Sequence, residues 1–308
     1  MKRKIFFDER QHKYTDDAGN TYTSMTTVIG KYYEDFDTDK VARACERIGR
    51  NPSHPKYIKY KGKSAEQIKK EWASITDEAL ENGTKKHNYL EDIIKCSTGY
   101  KTIDGTSLIS DRLYTPEDVI DSNFGALDIN WFHQVGIDKR YPLIYNTIIA
   151  LHKAGYKFYA ELGVYHTDLL ISGMIDLVAI KDRHFIIIDW KTNKADIKFE
   201  SGYFEKDMEG NLTDSFITTN KQMKYPLHFL PDSSGTHYNL QVSGYAWLLE
   251  QFGFINQGNV IYQIRENPDG TVERVDSIKL FDYREYSKLM LEHHYKNREK
   301  KEQLKMFL

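Results

Sequence analysis

Two apolar segments with acids set inside them constrain this fold most. They are Ile171-Ser172-Gly173-Met174-Ile175-Asp176-Leu177-Val178-Ala179-Ile180 and Phe185-Ile186-Ile187-Ile188-Asp189-Trp190-Lys191. Their richness in Ile, Val, Phe and Tyr, shared by the segment before them, reads as three consecutive strands over Lys157–His166, Leu169–Lys181 and His184–Lys191. Asp182-Arg183 suits a tight hairpin turn between the last two. Side chains alternate faces along a strand. Asp189 and Lys191 therefore point to one side, with Phe185 and Ile187 before them, and Asp176 shares a face with Met174, Val178 and Ile180. A carboxylate among such neighbours is costly to bury uncompensated.

Helical patterns surround these strands. Near the start, Lys4–Lys13 and Thr21–Ile29 read as a hairpin around the turn Asp16-Asp17-Ala18-Gly19-Asn20. Helices are expected over Asp39–Gly49 and Ser64–Glu81, the second capped by Ser64. Gly83 interrupts that run, and Thr84–Cys96 resumes it with Leu90, Ile93 and Ile94 at helical spacing. Residues 97–138 read as an irregular insertion, and Tyr141–Ala154 as a further helix. After the strands, Thr192–Tyr238 is a long polar stretch with little periodicity, of a length that is usually functional or partly ordered in a compact domain. Asn239–Glu250 and Tyr283–Gln303 read as helices, and Val260–Arg265 and Val272–Leu280 as late strands. The expectation is an α/β fold, a central mixed β-sheet flanked by helices with a helical N-terminal addition. Residues 1–138 would form an N-terminal hairpin and helical region carrying His87, and residues 139–308 the core, in one compact unit.

Composition narrows the functional classes. Hydrophobic residues make up 40% of the chain and aromatic residues 13%, which argues for a folded globular protein. No apolar run approaches the roughly 18 residues of a membrane span, so no membrane partner is expected. Met1-Lys2-Arg3-Lys4-Ile5-Phe6-Phe7-Asp8 is charged with no apolar segment behind it, so a cytoplasmic and not a secreted protein is expected, in the host cytoplasm if a phage encodes it. The two cysteines, Cys45 and Cys96, are too few for a four-cysteine zinc or iron–sulfur site. The net charge of -2 hides basic clusters: Lys56, Lys59, Lys61 and Lys63 interleave with Tyr57 and Tyr60, and Lys296, Arg298, Lys300, Lys301 and Lys305 lie near the C-terminus. Each cluster is either a solvated face or a surface for phosphates. In the first, lysines can track phosphates while tyrosines stack on bases.

The acids inside the strands need a compensating charge, and a divalent metal supplies one. Hard cations such as Mg²⁺ take oxygen ligands and keep waters free for a substrate phosphate. Two carboxylates on neighbouring strands can hold the ion, and the lysine beside them can orient or activate an attacking water. The alternative is an Asp–Lys ion pair that merely joins strands.

Asp176, followed on the next strand by Asp189-Trp190-Lys191, resembles the core of the PD-(D/E)XK nuclease superfamily. The similarity is to its RecB-type and CRISPR-associated exonuclease branch, with related phage and mitochondrial exonucleases. Gly83-Thr84-Lys85-Lys86-His87 resembles that branch's G-T-x-x-H motif, Glu161 an upstream acidic position, and Gln241-Val242-Ser243-Gly244-Tyr245 its Q-x-x-x-Y helix motif. The resemblance spans residues 83–245, and Ser24-Met25-Thr26-Thr27 resembles a segment near the start of phage members. Ile175 stands where the superfamily name has proline, a departure this branch often shows, and the iron–sulfur cysteines of several relatives have no counterparts.

The resemblance implies a restriction-endonuclease-like core that hydrolyses DNA with Mg²⁺ or Mn²⁺ and no iron–sulfur cluster. It points to a single-strand-preferring exonuclease of DNA replication, recombination or repair, in a phage setting. It makes Asp176, Asp189 and His87 metal ligands, with Glu161 binding directly or through water and the Trp190 backbone carbonyl adding a further ligand. Lys191 positions or deprotonates the hydrolytic water, Thr84 lies at the substrate, and Gln241 and Tyr245 contact substrate backbone or steady Lys191. Each also has a plainer reading: a structural histidine, a solvated edge glutamate, ordinary helix packing for Tyr245. An endonuclease of the same fold and a non-catalytic DNA-binding subunit are the rival functions.

Overall fold

A computed structural model of the chain describes residues 3–8, 11–34, 36–99, 113–120, 122, 124–207, 211–267 and 270–306, with the side chains of 78–80, 82 and 301–306 outside the description. Three short strands open it: β1 (Ile5–Asp8), β2 (Lys13–Asp16) and β3 (Thr21–Ser24). β1 pairs with β2 and β2 with β3, both antiparallel. The single hairpin expected here is thus two hairpins. The strand expected over Thr21–Ile29 stops at Ser24, whose hydroxyl accepts the Thr27 N–H and starts helix α1 (Met25–Gly30), because a short hydroxyl at that position satisfies a free helix N–H.

Helices α2 (Thr38–Ile48), α3 (Tyr57–Tyr60) and α4 (Ala65–Ser97) follow. A reciprocal capping box between Ser64 and Gln67 begins α4. The expected break at Gly83 does not occur: the helix runs straight through it. A glycine inside a helix costs about 1 kcal/mol, and packing along so long an element outweighs that. The expected irregular insertion contains α5 (Pro116–Ile120), α6 (Ile129–Gln134) and the start of α7 (Ile137–Arg140), while residues 100–112 lie outside the described residues. Helix α8 (Pro142–Lys153) leads into β4 (Lys157–His166), β5 (Ile171–Lys181) and β6 (His184–Lys191).

The stretch after β6 has more structure than its polarity promised. It carries a two-stranded ribbon, β7 (Gly202–Lys206) with β8 (Leu212–Thr218). Most of this ribbon is exposed, so it lacks the apolar alternation that marks a half-buried strand. Helix α9 (Ser234–Glu250) begins one turn earlier than Asn239, capped by Ser233. Strand β9 (Ile255–Glu266) begins before Val260, β10 (Val272–Lys279) pairs with it, and α10 (Arg284–Met306) ends the described chain. Among the described residues, no helix is long and apolar enough to cross a membrane.

The main sheet runs β1-β2-β3-β5-β6-β9-β10, with β4 on β5. β3–β5 and β6–β9 are parallel and the other pairs antiparallel, so the protein is α/β with a large mixed sheet. Its two faces carry separate cores. One packs Met25, Leu240, Val242, Leu291 and neighbours from α1, α9 and α10 against the sheet. The other packs Leu90, Ile94, Ile144 and Ile148 from α4 and α8 against Phe158, Leu177 and Trp190. Through β3 and α4, the first 138 residues therefore share this sheet and its core.

The sheet forks in the middle. β5 and β6 pair from Lys181↔His184 to Leu177↔Ile188, and no further. Upstream, β5 turns to β3 through Ile171 and Ser172, while β6 continues along β9 to Lys191↔Gln263. The ladder to β4 also skips one rung, between Ala160↔Leu177 and Leu162↔Ile175, where Glu161 and Asp176 face each other. Glu161 there has a left-handed φ of 51°, a conformation that costs a non-glycine residue roughly 1–3 kcal/mol. Both strands change phase at this rung. Ile171 and Ile175 face the α9 side, but Leu177 and Ala179 face the α4 side, and on β4 Leu162 and Val164 lie opposite to Phe158 and Ala160. Simple alternation therefore fails here, and Met174 and Val178 do not share a face with Asp176 between them.

Candidate metal and catalytic site

Asp176 stands at the fork, where β5 has neither β3 nor β6 beside it. Its Oδ2 accepts the Trp190 N–H at 3.2 Å and lies 3.6 Å from His87 Nδ1. His87 comes from α4, and one turn on, the Oε1 of Glu91 lies 3.8 Å from the same imidazole nitrogen. One ligand atom from each of His87, Glu91 and Asp176 falls within 4.8 Å of the other two. An imidazole nitrogen with two carboxylates is a donor set that divalent cations accept, with room left for water or substrate oxygen.

Asp189 occupies the facing position on β6. It is 1% exposed, and its Oδ2 lies 2.8 Å from Lys191 Nζ. The ammonium also sits over the Tyr238 ring, 5.1 Å from its centroid. Burial first, and then the Asp189 charge, push the Asp176 carboxyl up to about 7. Burial pulls Lys191 down, but Asp189 and then Asp176 outweigh it and hold the ammonium above its usual value. His87 behaves alike: burial opposes its charge, while the Glu91 and Asp176 carboxylates beside it raise it. Three carboxylates crowd two cations in a poorly solvated place, a setting that a bound cation relieves.

Neighbouring elements fix the site from both sides. Gln263, buried on β9 beside Lys191, donates to the carbonyls of Asn193 at 3.0 Å and Ala195 at 2.6 Å and accepts the Ile197 N–H at 3.2 Å. That clamp sets the direction in which the chain leaves the site. Gly83 lies where α4 crosses this exit: a Cβ there would stand 3.2 Å from Thr192 Oγ1. Thr84 follows on the exposed side of α4, three residues before His87.

The structure separates the remaining sequence-derived residues. Glu161 pairs with Lys95, which lies one turn beyond Glu91 on α4. Trp190 buries its ring in the α4-side core and offers its backbone N–H to Asp176. Gln241 and Tyr245 lie at the fork: Gln241 Nε2 donates to Tyr245 Oη at 3.1 Å. Tyr245 fits only because residue 173 is glycine, since a Cβ there would come within 2.3 Å of its ring.

Lys56, Lys59, Lys61 and Lys63 are not brought to the carboxylates. They flank α3 at the far end of α4, where the run from Ser64 to His87 spans roughly 35 Å of helix. Lys63 pairs with Glu71 at 2.8 Å, and Lys61 lies over Tyr57. Burial first, then Lys206 on β7 and Lys56, hold Lys59 below its usual value. In the C-terminal basic group, Lys296, Arg298 and Lys300 lie on α10, and the side chains of Lys301 and Lys305 are outside the described residues.

Glu91, Tyr238 and Gln263 are the site residues the sequence reading missed. Spacing alone could have found Glu91, because residues four apart share a helix face and Glu91 is four beyond His87. No family model matches the chain, and no curated protein matches it either.

Proposed function

We propose that this chain is a divalent-metal-dependent nuclease of the PD-(D/E)XK type that hydrolyses DNA phosphodiester bonds. The observation that carries the reading is the convergence of His87, Glu91 and Asp176 beside the Asp189–Lys191 pair, at an interruption of a buried sheet. His87, Glu91 and Asp176 would hold Mg²⁺ or Mn²⁺, with Asp189 completing the acidic wall. Bound there, the ion supplies a Lewis acid for the phosphoryl oxygen and charge stabilisation as the bond breaks.

The chain's own groups do the rest. Lys191 Nζ carries three donors and forms an ion pair with Asp189 at 2.8 Å. Its donors can also reach a water or a phosphate oxygen, so Lys191 orients the attacking water against the phosphorus. Tyr238 lies beneath the ammonium and limits where it can swing. Gln263 and Tyr245 act through position, Gln263 holding the exit of β6 and Tyr245 packing on β5 at Gly173.

A single-strand-preferring exonuclease is the specific form proposed. α4 crosses the start of the segment that leaves β6, at Gly83 beside Thr192. A site bordered in this way admits a free single-stranded end more readily than a stiff duplex. End-labelled linear and closed circular single-stranded DNA, incubated with Mg²⁺, Mn²⁺ or EDTA, test this. Linear strands should be degraded and circles spared. Efficient cutting of circles would make the protein an endonuclease, and no cutting with tight DNA binding a non-catalytic subunit.

A further inference from the structure

The segment between β8 and α9 is built to hold rings out into solvent. Met223, Leu227 and Leu230 are buried and anchor it. The Met223 N–H donates to the Leu230 carbonyl at 3.0 Å, the Lys224 N–H to the Tyr32 carbonyl at 2.6 Å, and the Asp232 N–H to the Lys221 carbonyl at 3.0 Å. On this fixed backbone, Tyr225 is 68% exposed and Phe229 49%. Isolated exposed apolar residues are ordinary, but these form a continuous series. Tyr225 stacks on His228 with centroids 5.9 Å apart, His228 meets Phe229 at 6.0 Å, and Phe229 meets the half-exposed Tyr286 of α10 at 5.1 Å.

We propose that this ring series, with Lys221 and Lys224, is a track on which consecutive bases of a single-stranded nucleic acid stack outside the cleavage site. The ligand class rests on the nuclease reading above; the track itself rests on three observations. First, the exposed side chains of residues 221–230 are Lys221, Gln222, Lys224, Tyr225, His228 and Phe229, which are rings, cations and an amide with no aliphatic group. Alternating charge and ring faces suits phosphates and bases, which a protein face would not require. Second, the chain has 45 acidic residues, yet none lies between Asp214 and Asp232, so nothing in this segment repels phosphate. Third, the segment leads toward the site: it ends at Asp232, whose Oδ1 lies 2.9 Å from His237 Nε2, and the residue after His237, Tyr238, lies beneath Lys191. A strand leaving the fork meets these rings already ordered, so little side-chain entropy is lost on stacking.

The test measures binding of labelled oligo-dT to the full chain in EDTA, and separately hydrolysis of bis(p-nitrophenyl) phosphate with Mn²⁺. Tyr225→Ala with Phe229→Ala should weaken binding of a long single strand about tenfold or more. Hydrolysis of the small diester should be unchanged, because it reaches only the site. An abasic strand should bind both proteins equally, and Tyr225→Trp should restore affinity by keeping a stacking face. Lys221→Ala with Lys224→Ala should weaken normal and abasic strands alike and flatten the salt dependence. Equal oligo-dT affinity in wild type and the double ring variant overturns the track while leaving the site reading intact. So does a change in oligomeric mass with unchanged affinity, which would make the rings a protein contact. Absence of both oligo-dT binding and diester hydrolysis overturns the track and the nuclease reading together.

Discussion

Asp176 and Asp189 occupy facing positions on β5 and β6, one step beyond Leu177↔Ile188, the last rung that joins those strands. Like charges directly opposite each other weaken a ladder, and the strands part at the point where the acids begin. The opening admits His87 and Glu91 from α4 on one side and Lys191 with Tyr238 on the other. The fork thus supplies both the space and the electrostatic need for a cation.

Glu91→Gln should lower Mn²⁺ affinity by about 10–100-fold or more, since it keeps the volume and removes the charge. Isothermal titration at fixed pH measures this. Unchanged affinity in Glu91→Gln, with loss in Glu161→Gln, would move the site from α4 to β4.

Lys191→Ala should reduce turnover by about 10²–10⁴-fold, the range for a group that handles the reacting proton or water. Affinity for a single strand in EDTA should change little, because Lys191 is one charge in a cleft. A variant that loses binding and keeps turnover at saturation would make Lys191 a binding residue.

Gly173→Ala should destabilise the fold by about 1–3 kcal/mol, because its Cβ would collide with the Tyr245 ring at 2.3 Å. Tyr245→Phe should cost about 1–3 kcal/mol for a different reason: it strands the Gln241 amide. Urea midpoints report both. If Gly173→Ala is neutral, Tyr245 does not plug the fork.

His166 stacks on Trp247 with planes 2° apart and accepts the Leu169 N–H at 3.3 Å. Burial holds its imidazole below the usual value despite the opposing pull of Asp168. The unfolded chain takes up that proton near pH 6.5, while the folded chain resists it to lower pH. The contribution of His166 to folding stability is therefore fully present above about pH 6.5 and is lost as pH falls through the window below it. His166→Phe keeps a ring on Trp247 and removes the titration. Its urea midpoint should drop less than wild type between pH 7.5 and 5.5, and an equal drop would assign the acid sensitivity elsewhere.

Much of this arrangement was legible in the chain, for definite reasons. Asp189 and Lys191 interrupt a strand of Ile, Phe and Trp, and local alternation places them together. Asp176 was legible as an acid among apolar residues, but its face was not, because the phase change at Glu161 depends on a left-handed residue that no local pattern announces. Gln263 was invisible for a related reason. Its role exists only because β9 lies parallel beside β6, a pairing between residues more than seventy positions apart. Continuous α4 defeated a correct local rule, since Gly83 is a poor helix residue whose place against the Thr192 hydroxyl leaves little room for a side chain. The ribbon β7–β8 escaped notice because it is exposed on both faces.

The central claim is that the fork hydrolyses phosphodiester bonds with a divalent metal. It is tested most directly by incubating end-labelled linear single-stranded DNA with wild type and with Asp189→Asn, in Mg²⁺, in Mn²⁺ and in EDTA. Wild type should release short products with either metal, EDTA should abolish the activity, added Mg²⁺ should restore it, and Asp189→Asn should be inactive throughout. Full activity in EDTA, or wild-type rates from Asp189→Asn, would contradict the account.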